Sequence, residues 1–266
     1  MRRESVTNLL RNALRPGYAQ VIGRKALNRV GRRDRSGAEA CAWARAHCTT
    51  AAAVCEALDA TLWAEALEFR DVVTRRADEV SDELGEKVGY GARSDLLYFT
   101  IRWLKPDVVV ETGVAYGYSS FTALSALARN GQGRLLSSDF PFFRERDPER
   151  LVGSMVPPEL RDGWRLLTRG DAHNLPAILA EIDHIDLLHY DSDKSYAGRK
   201  HALDLLLPRL SPSGVVIMDD IEDNTFFRDY VTHSTPAPDY AVIGQGAHFM
   251  GTLGLTAHTA QGARNS

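Results

Sequence analysis

The sequence predicts an α/β protein with a mostly parallel, seven-stranded sheet, helices on both faces and a helical region before the sheet. From Pro106 onward, short apolar runs alternate with helical patterns, which indicates parallel strands joined by right-handed crossovers. Before Pro106, apolar residues recur at helical spacing instead. Glycines and acidic residues directly after the strand patterns place candidate ligand-binding groups at one edge of this sheet.

Three helices are predicted ahead of the sheet. The Ser36–Glu39 segment has a capping-box pattern and opens an alanine-rich helix that runs through Ala46. A second helix spans about Ala51 to Leu84. A third, near Ser94 to Leu104, ends before Pro106 because the proline ring restricts the residue that precedes it.

The strands and helices of the sheet region follow in alternation. Val108 to Val110 is a continuous apolar run bounded by turn signals, which suits a strand covered on both faces. The other predicted strands are Arg134 to Ser138, Trp164 to Thr168, Ile185 to Tyr190, Gly214 to Met218 and a closing pair, Tyr240 to Ile243 and Phe249 to Leu255. The predicted helices between them are Tyr118 to Arg129, Leu175 to Ile182 and Tyr196 to Leu207.

The composition is that of an ordinary globular protein, with 44% hydrophobic and 25% charged residues. A disordered, collagen-like or coiled-coil chain is therefore excluded. We expect no transmembrane segment, because no apolar run approaches the roughly 18 residues of a membrane span. The three cysteines cannot form a disulfide framework, so a reducing, cytoplasmic location is expected.

The charge is distributed unevenly along the chain. Residues 1–36 contain ten Lys and Arg against two acidic residues, so this arm carries +8 and the rest of the chain −11. A basic arm on an acidic body indicates an attachment element for anionic surfaces or for a neighbouring subunit, as in a homodimer. The alternative is a solvated leader without a partner. We divide the chain into the basic arm (1–36), a helical cap region (37–93), the sheet domain (94–258) and a disordered tail (259–266).

A glycine turn follows the first strand. Gly113 and Gly117 are separated by three residues and preceded by Glu111, and such glycines let the backbone turn sharply close to a ligand. The spacing differs from the G-x-G-x-x-G that binds the pyrophosphate of a dinucleotide. An acidic residue beside the turn suits a ligand with an ammonium or hydroxyl group better than one with two phosphates.

Acidic residues also follow the second and third strands. Asp139 lies where an acidic residue commonly binds the two hydroxyls of a ribose, although a turn cap is an equal alternative. Asp171, after Gly170, lies where it could accept a hydrogen bond from an adenine amino group.

Two adjacent strand ends carry paired acidic residues. Asp191, Asp193 and Lys194 follow one strand, and Asp219 and Asp220 follow the next. Carboxylates that meet at one edge repel unless something neutralises them, and a divalent cation such as Mg²⁺ does so through oxygen ligands. The alternative is that each aspartate caps the helix after it.

Together these segments resemble a class I S-adenosylmethionine-dependent methyltransferase over about Ser94 to Leu255. The resemblance is closest to the branch with a D-x-D-x-S-Y segment and a later D-D pair. That branch is similar to the metal-dependent O-methyltransferases that act on catechols, caffeoyl-CoA and macrolide or aminocoumarin sugars. A Rossmann-like methyltransferase fold is implied, with S-adenosylmethionine and Mg²⁺ or another divalent cation as cofactors.

The resemblance also implies roles for individual residues. The implied cofactor-binding residues are Glu111, Gly113, Tyr116, Gly117, Ser119, Asp139, Asp171 and Asp191. The implied metal ligands are Asp191, Asp219 and Asp220, and the implied catalytic residues are Asp193 and Lys194, either of which could be the general base. The expected reaction is methyl transfer to a hydroxyl of a small molecule or sugar. The alternative function is a non-catalytic S-adenosylmethionine-binding scaffold that acts through its basic arm.

Two further groups of residues, one aromatic and one basic, could contribute to an acceptor site. Phe226, Phe227 and Tyr230 follow the second acidic pair and could line an acceptor pocket or cover the sheet. Arg144, Arg146 and Arg150 lie in the long segment after Asp139, which has the length of a lid.

Overall fold

The described residues ahead of Pro106 are mostly helical and include one short strand. The computed structural model describes residues 3–15, 18–19, 22–23, 36–85, 87–88, 93–143 and 148–256. Its first elements are α1 (Arg3–Ala13), α2 (Ser36–His47), β1 (Cys48–Thr49), α3 (Ala51–Leu84) and α4 (Ser94–Leu104). The predicted bounds of the second and third helices, now α3 and α4, are confirmed.

Strands and helices then alternate as predicted. The strands are β2 (Val108–Thr112), β3 (Arg134–Ser138), β4 (Trp164–Leu167), β5 (Ile185–Tyr190), β6 (Leu210–Met218), β7 (Tyr240–Gln245) and β8 (His248–Leu253). The helices are α5 (Tyr118–Asn130), α6 (Pro148–Leu151), α7 (Asp171–Glu181), α8 (Tyr196–Leu206) and α9 (Phe226–His233). Short 3₁₀ turns occupy Pro158–Gly163, Leu207–Arg209 and Ile221–Asp223.

All strands belong to one mixed sheet, in the order β1-β7-β8-β6-β5-β2-β3-β4. The pairs around β8 are antiparallel, and the other pairs are parallel. The sheet has one strand more than the seven predicted, because β1 pairs in parallel with Val242 and Ile243 of β7. Two residues are too few to produce a periodic pattern, so the sequence gives no signal for this strand.

Alternate residues of the central strands pack against different helical layers. Val109 of β2 belongs to a core formed with α3, α4 and α5, whereas Val108 and Val110 belong to a core formed with α7, α8 and α9. All five residues of β2 are buried, which is the pattern of a parallel strand covered on both faces. The predicted arrangement of helices on both faces is confirmed.

The long helix α3 contains a kink at Asp59. This residue has φ −161° and ψ 99°, and its carboxylate accepts a hydrogen bond from the backbone N–H of Leu62 at 2.9 Å. Asp59 therefore caps a second helical segment inside α3, as N-cap aspartates do at helix starts.

The basic arm packs against the segment that follows Asp139, through Asn12 of α1 and through Tyr18. Asn12 Nδ2 donates to the carbonyl of Phe143 at 2.9 Å. Tyr18 donates to Glu149 at 3.1 Å, and its ring centroid lies 4.9 Å from that of Phe140. Among the described helices, none is long and apolar enough to cross a membrane. The predicted tail, 259–266, lies outside the described residues.

Candidate active site

The glycine turn lies between β2 and α5, and both of its glycines have positive φ angles. Gly113 has φ 83° and Gly117 has φ 92°. A side chain at Gly113 would place its Cβ 2.2 Å from the backbone oxygen of Asp191, so only glycine fits there. The turn is thereby held directly against the end of β5.

Asp139 braces the glycine turn from the end of β3. Its Oδ2 accepts hydrogen bonds from the backbone N–H groups of Val114 at 3.0 Å and Ala115 at 2.6 Å. Its Oδ1 accepts from the N–H of Phe140 at 2.6 Å. The carboxylate predicted to bind a ribose therefore also orders the loop next to it, and the turn alternative accounts for part of its contacts.

Glu111 lies beneath the turn, fully buried. Its carboxylate accepts hydrogen bonds from Ser120 at 2.6 Å and Ser137 at 2.7 Å, and Ser119 also contributes one. Burial raises the pKa of Glu111, against the opposing effect of His189, whose Nδ1 lies 3.9 Å from the carboxylate. Glu111 and Ser119 thus lie in the interior layer under the turn.

His189 faces Glu111 across the paired strands β2 and β5. It is a core residue with 1% of its surface exposed, and neither ring nitrogen has a hydrogen-bond partner. Burial lowers the pKa of His189, so burial favours the neutral form of both members of this pair.

The segment after Asp139 folds back over the outer side of the glycine turn. Gly153 and Met155 donate backbone hydrogen bonds to Ala115 at 2.9 Å and to Tyr116 at 2.8 Å. The Tyr116 ring lies 4.8 Å from that of Phe142. This covering segment comprises residues 140–143 and 148–156, and its role as a lid stays a prediction. Of the predicted lid arginines, Arg150 lies in α6, whereas the pair at positions 144 and 146 falls outside the described residues.

Asp171 is the first residue of α7, which begins four residues earlier than predicted. Its carboxylate accepts hydrogen bonds from Ser138 at 2.6 Å and from Ser192 at 2.6 Å. The residue thus connects the ends of β3 and β5 at the edge where an adenine was predicted to bind.

The structure brings Asp191, Asp219 and Asp220 together. One carboxylate oxygen from each lies within 4.8 Å of the others, an arrangement that could hold a metal ion. Burial, with the charges of Asp191 and Asp220, raises the pKa of Asp219 to about 6. Burial also raises the pKa of Asp191, with Asp220 and Asp139 adding to the effect and Lys194 opposing it.

Lys194 lies inside this carboxylate cluster. Its Nζ is 2.9 Å from Asp191 Oδ1 and in close contact with Asp220 Oδ2. Burial disfavours the ammonium form, but the two carboxylates outweigh burial and raise the pKa of Lys194. In this arrangement Lys194 is the protonated counter-ion of the cluster.

Asp193 faces the start of α8. Its Oδ1 accepts a hydrogen bond from the backbone N–H of Ser195 at 3.0 Å. A Cβ at Gly198 would lie 2.3 Å from the carboxyl carbon of Asp193, so the missing side chain of this glycine makes room for the carboxylate. The helix-capping alternative therefore accounts for part of the environment of Asp193.

The sequence reasoning missed three residues around the cluster. Arg199 is fully buried and donates to the carbonyls of Asp219 and Asp220. Asn224 donates to the carbonyl of Lys194 at 2.7 Å. His248, in the β7–β8 hairpin, lies 3.8 Å from Asp220. Arg199 follows the D-x-D-K segment closely, but its contacts depend on which face of α8 meets the turn. The position of His248 depends on strand pairing far away in sequence.

The aromatic residues after the second acidic pair mainly cover the sheet. Phe226 and Phe227 are buried in the core on that side. A surface groove of about 280 Å³ lies between α8 and α9 and is lined in part by Tyr196, Phe226 and Tyr230.

Part of the chain matches a known protein family. The model of a family described as a methyltransferase domain matches residues 110–221, the segment from β2 to the residue after Asp220. No curated protein sequence matches the chain significantly.

Solved methyltransferase structures share the fold. The O-methyltransferase TomG of Streptomyces achromogenes, involved in tomaymycin synthesis and solved with S-adenosylmethionine, has a TM-score of 0.52 at 17% identity, covering 68% of this chain and 88% of TomG. A Bacillus cereus O-methyltransferase, solved with S-adenosylhomocysteine, has a TM-score of 0.54 at 14% identity, covering 69% and 90%. A Staphylococcus aureus structure described as a putative caffeoyl-CoA O-methyltransferase has a TM-score of 0.52 at 12% identity, covering 71% and 98%. Residues 110–221 thus match a methyltransferase domain, and the chain shares its fold with the solved O-methyltransferases.

Proposed function

We propose that this protein is an O-methyltransferase that uses a divalent cation to transfer a methyl group from S-adenosylmethionine to a hydroxyl of a small molecule or sugar. One observation carries the proposal. The carboxylates of Asp191, Asp219 and Asp220 converge next to the glycine turn, because Gly113 lies directly against the backbone of Asp191. A cation site and a cofactor site would then share one strand end.

The donor set fits a hard divalent cation. Each of the three aspartates offers a carboxylate oxygen, and Mg²⁺ is bound through carboxylates and waters. Asp191 Oδ1 is buried and forms an ion pair with Lys194 Nζ at 2.9 Å. A carboxylate has further lone pairs, so this contact leaves Asp191 able to bind a cation as well.

The cofactor would lie along the carboxyl ends of β2, β3 and β5. In this proposal Gly113, Gly117 and Tyr116 line the methionine portion, while Glu111 and Ser119 support the turn from below. Asp139 and Asp171 would bind the ribose and the adenine. Each of these two carboxylates already accepts hydrogen bonds from the protein, so each is fixed in place before a ligand arrives.

Acceptor activation follows from the same residues. When bound, S-adenosylmethionine supplies the electrophilic methyl group, and a divalent cation in the cluster lowers the pKa of the acceptor hydroxyl and orients it. Lys194 is the base that we propose, since its amino group lies within the cluster, whereas the carboxylate of Asp193 is engaged at the start of α8. Lys194 can accept the hydroxyl proton only as the neutral amine. If the charges of Asp191 and Asp220 are offset by a bound cation, the ammonium can release its own proton to solvent before the acceptor hydroxyl is deprotonated.

The test is a screen of hydroxylated acceptors, with phenols, catechols and sugars, using S-adenosylmethionine labelled on the methyl group. We expect transfer in Mg²⁺ that EDTA abolishes and that Lys194→Met reduces roughly 10²- to 10⁴-fold, as loss of a general base does. The matched variant Asp193→Asn should lose less methyl-transfer activity than Lys194→Met. Transfer that continues undiminished in EDTA would contradict the role of the cation.

A further inference from the structure

Arg199 is the largest fully buried side chain among the described residues. It lies in the first turns of α8, behind the turn that carries Asp219 and Asp220. Its Nη2 donates to the carbonyl of Asp219 at 3.2 Å and to the carbonyl of Asp220 at 2.7 Å. A single side-chain nitrogen therefore connects α8 to two consecutive peptide groups.

The environment of Arg199 is unusual for a buried charge. In the described part of the chain its Nε and Nη1 have no hydrogen-bond partner, and the carboxylates of Asp223, Asp220 and Glu222 favour the guanidinium only from beyond ion-pair distance. Burying an incompletely paired guanidinium costs free energy, and an apolar side chain of similar size is often tolerated as well or better in such a position. General stability therefore does not account for this residue.

The backbone of Asp220 indicates what Arg199 holds. Asp220 has φ 49° and ψ 45°, the left-handed region that residues other than glycine rarely adopt. The carbonyl of Asp219 belongs to the peptide group on the N-terminal side of the Asp220 Cα. The carbonyl of Asp220 belongs to the peptide group on the C-terminal side of that Cα. A donor that binds both carbonyls fixes both planes, and hence both backbone angles of Asp220.

We propose that Arg199 is a positioning residue that holds Asp220 in its left-handed conformation, so that the carboxylate of Asp220 converges with those of Asp191 and Asp219. The inference rests on the proposed function, in which this cluster binds a divalent cation. Arg199 does not touch the cation or the acceptor. It acts through the backbone of the turn.

The direction of the effect separates positioning from simple electrostatics. A guanidinium close to the cluster repels a divalent cation, so a purely electrostatic role predicts that its removal tightens cation binding. A positioning role predicts the opposite, because the Asp220 carboxylate would lose its fixed direction.

The experiment measures Mn²⁺ binding to the full chain by electron paramagnetic resonance and calorimetry, with S-adenosylhomocysteine present. We expect Arg199→Met to weaken Mn²⁺ affinity by roughly tenfold or more, the usual size of losing a residue that supports metal ligands. Arg199→Lys should retain part of the Mn²⁺ affinity, since an ammonium can donate to one of the two carbonyls. Thermal unfolding reports whether each variant is folded.

A matched control is Arg209→Met. Arg209 also donates to two consecutive carbonyls, those of Ile182 at 3.0 Å and Asp183 at 3.4 Å, but away from the cluster. The Arg209→Met protein should bind Mn²⁺ with the affinity of the wild type. Unchanged or tighter binding by a folded Arg199→Met protein, or by Arg199→Lys if the first variant does not fold, would overturn the inference. A wild type that binds no Mn²⁺ would instead contradict the proposed metal site, and the inference would fall with it.

Discussion

The carboxylates of the cluster lie within 4.8 Å of one another and repel. Individual residues next to them offset this repulsion. Lys194 supplies one positive charge between Asp191 and Asp220. The three aspartates could be predicted from the sequence, because Asp191 and Asp219 directly follow two neighbouring parallel strands and Asp220 comes one residue later. Arg199 could not, since its role depends on which face of α8 meets the turn.

Asp219 allows a test of the conflict between stability and function. Its pKa in the folded protein is about 6, because of burial and the neighbouring Asp191 and Asp220, whereas an unfolded aspartate titrates near about 4. Between about pH 4 and pH 6, Asp219 is therefore protonated in the folded state and ionised in the unfolded state. The raised pKa stabilises the folded protein below about pH 4, and this stabilisation is lost as the pH rises through about 6. The difference corresponds to about 3 kcal/mol at most.

We accordingly expect Asp219→Asn to be more stable than the wild type at pH 8 in EDTA and equally stable near pH 4, while its methyl transfer is nearly abolished. Urea unfolding at both pH values measures the stability difference. The control is Asp204→Asn, an exposed residue that pairs with Lys200 on α8. An Asp219→Asn protein that is less stable than the wild type at pH 8 would contradict the proposed cause of the pKa shift.

The types of the elements could largely be predicted, because the strands of the parallel sheet are continuous apolar runs between turn signals. Several features could not. The strand β6 begins at Leu210 rather than at the predicted Gly214, and two other features depend on neighbouring elements. The start of α7 at Asp171 is set by hydrogen bonds from Ser138 and Ser192 on other elements, and β1 exists only because it lies beside β7. Both depend on contacts between distant segments rather than on local pattern.

The turn between β2 and α5 provides a test at the level of elements. Gly113→Ala would combine a positive φ with a clash against the backbone of Asp191, whereas Gly131→Ala would have a positive φ and open space. Both variants should lose about 1–3 kcal/mol of stability from backbone strain.

Only Gly113→Ala should also lose S-adenosylhomocysteine affinity, measured by calorimetry, because the ends of β2 and β5 must move apart. Equal affinities for Gly113→Ala and the wild type would show that the turn does not form the cofactor site.

Across the whole molecule, the arm and the sheet meet at the segment after Asp139. The charge asymmetry predicted an attachment element, but the contacts of Asn12 with Phe143 and of Tyr18 with Glu149 join residues 131 positions apart and leave no trace in the sequence. The segment they hold is the one that covers the glycine turn. The arm therefore supports the predicted cofactor site from outside.

Deleting residues 1–35 should weaken S-adenosylhomocysteine binding by roughly tenfold, equivalent to about 1.4 kcal/mol, because the covering segment loses its support. Calorimetry measures the affinity, and size-exclusion chromatography with light scattering reports whether the arm also mediates a homodimer. Tyr18→Phe, which removes only the hydrogen bond to Glu149, should have a smaller effect. If the deletion variant binds S-adenosylhomocysteine with the affinity of the wild type, the arm does not contribute to the cofactor site.

The central claim is that Asp191, Asp219 and Asp220 bind one divalent cation beside the cofactor. Its most direct test is a Mn²⁺ titration of the wild type and of Asp219→Asn, each with S-adenosylhomocysteine, followed by electron paramagnetic resonance. The account predicts one bound Mn²⁺ per wild-type chain and greatly weakened binding in the variant. No binding by the wild type, or equal binding by both proteins, would contradict it.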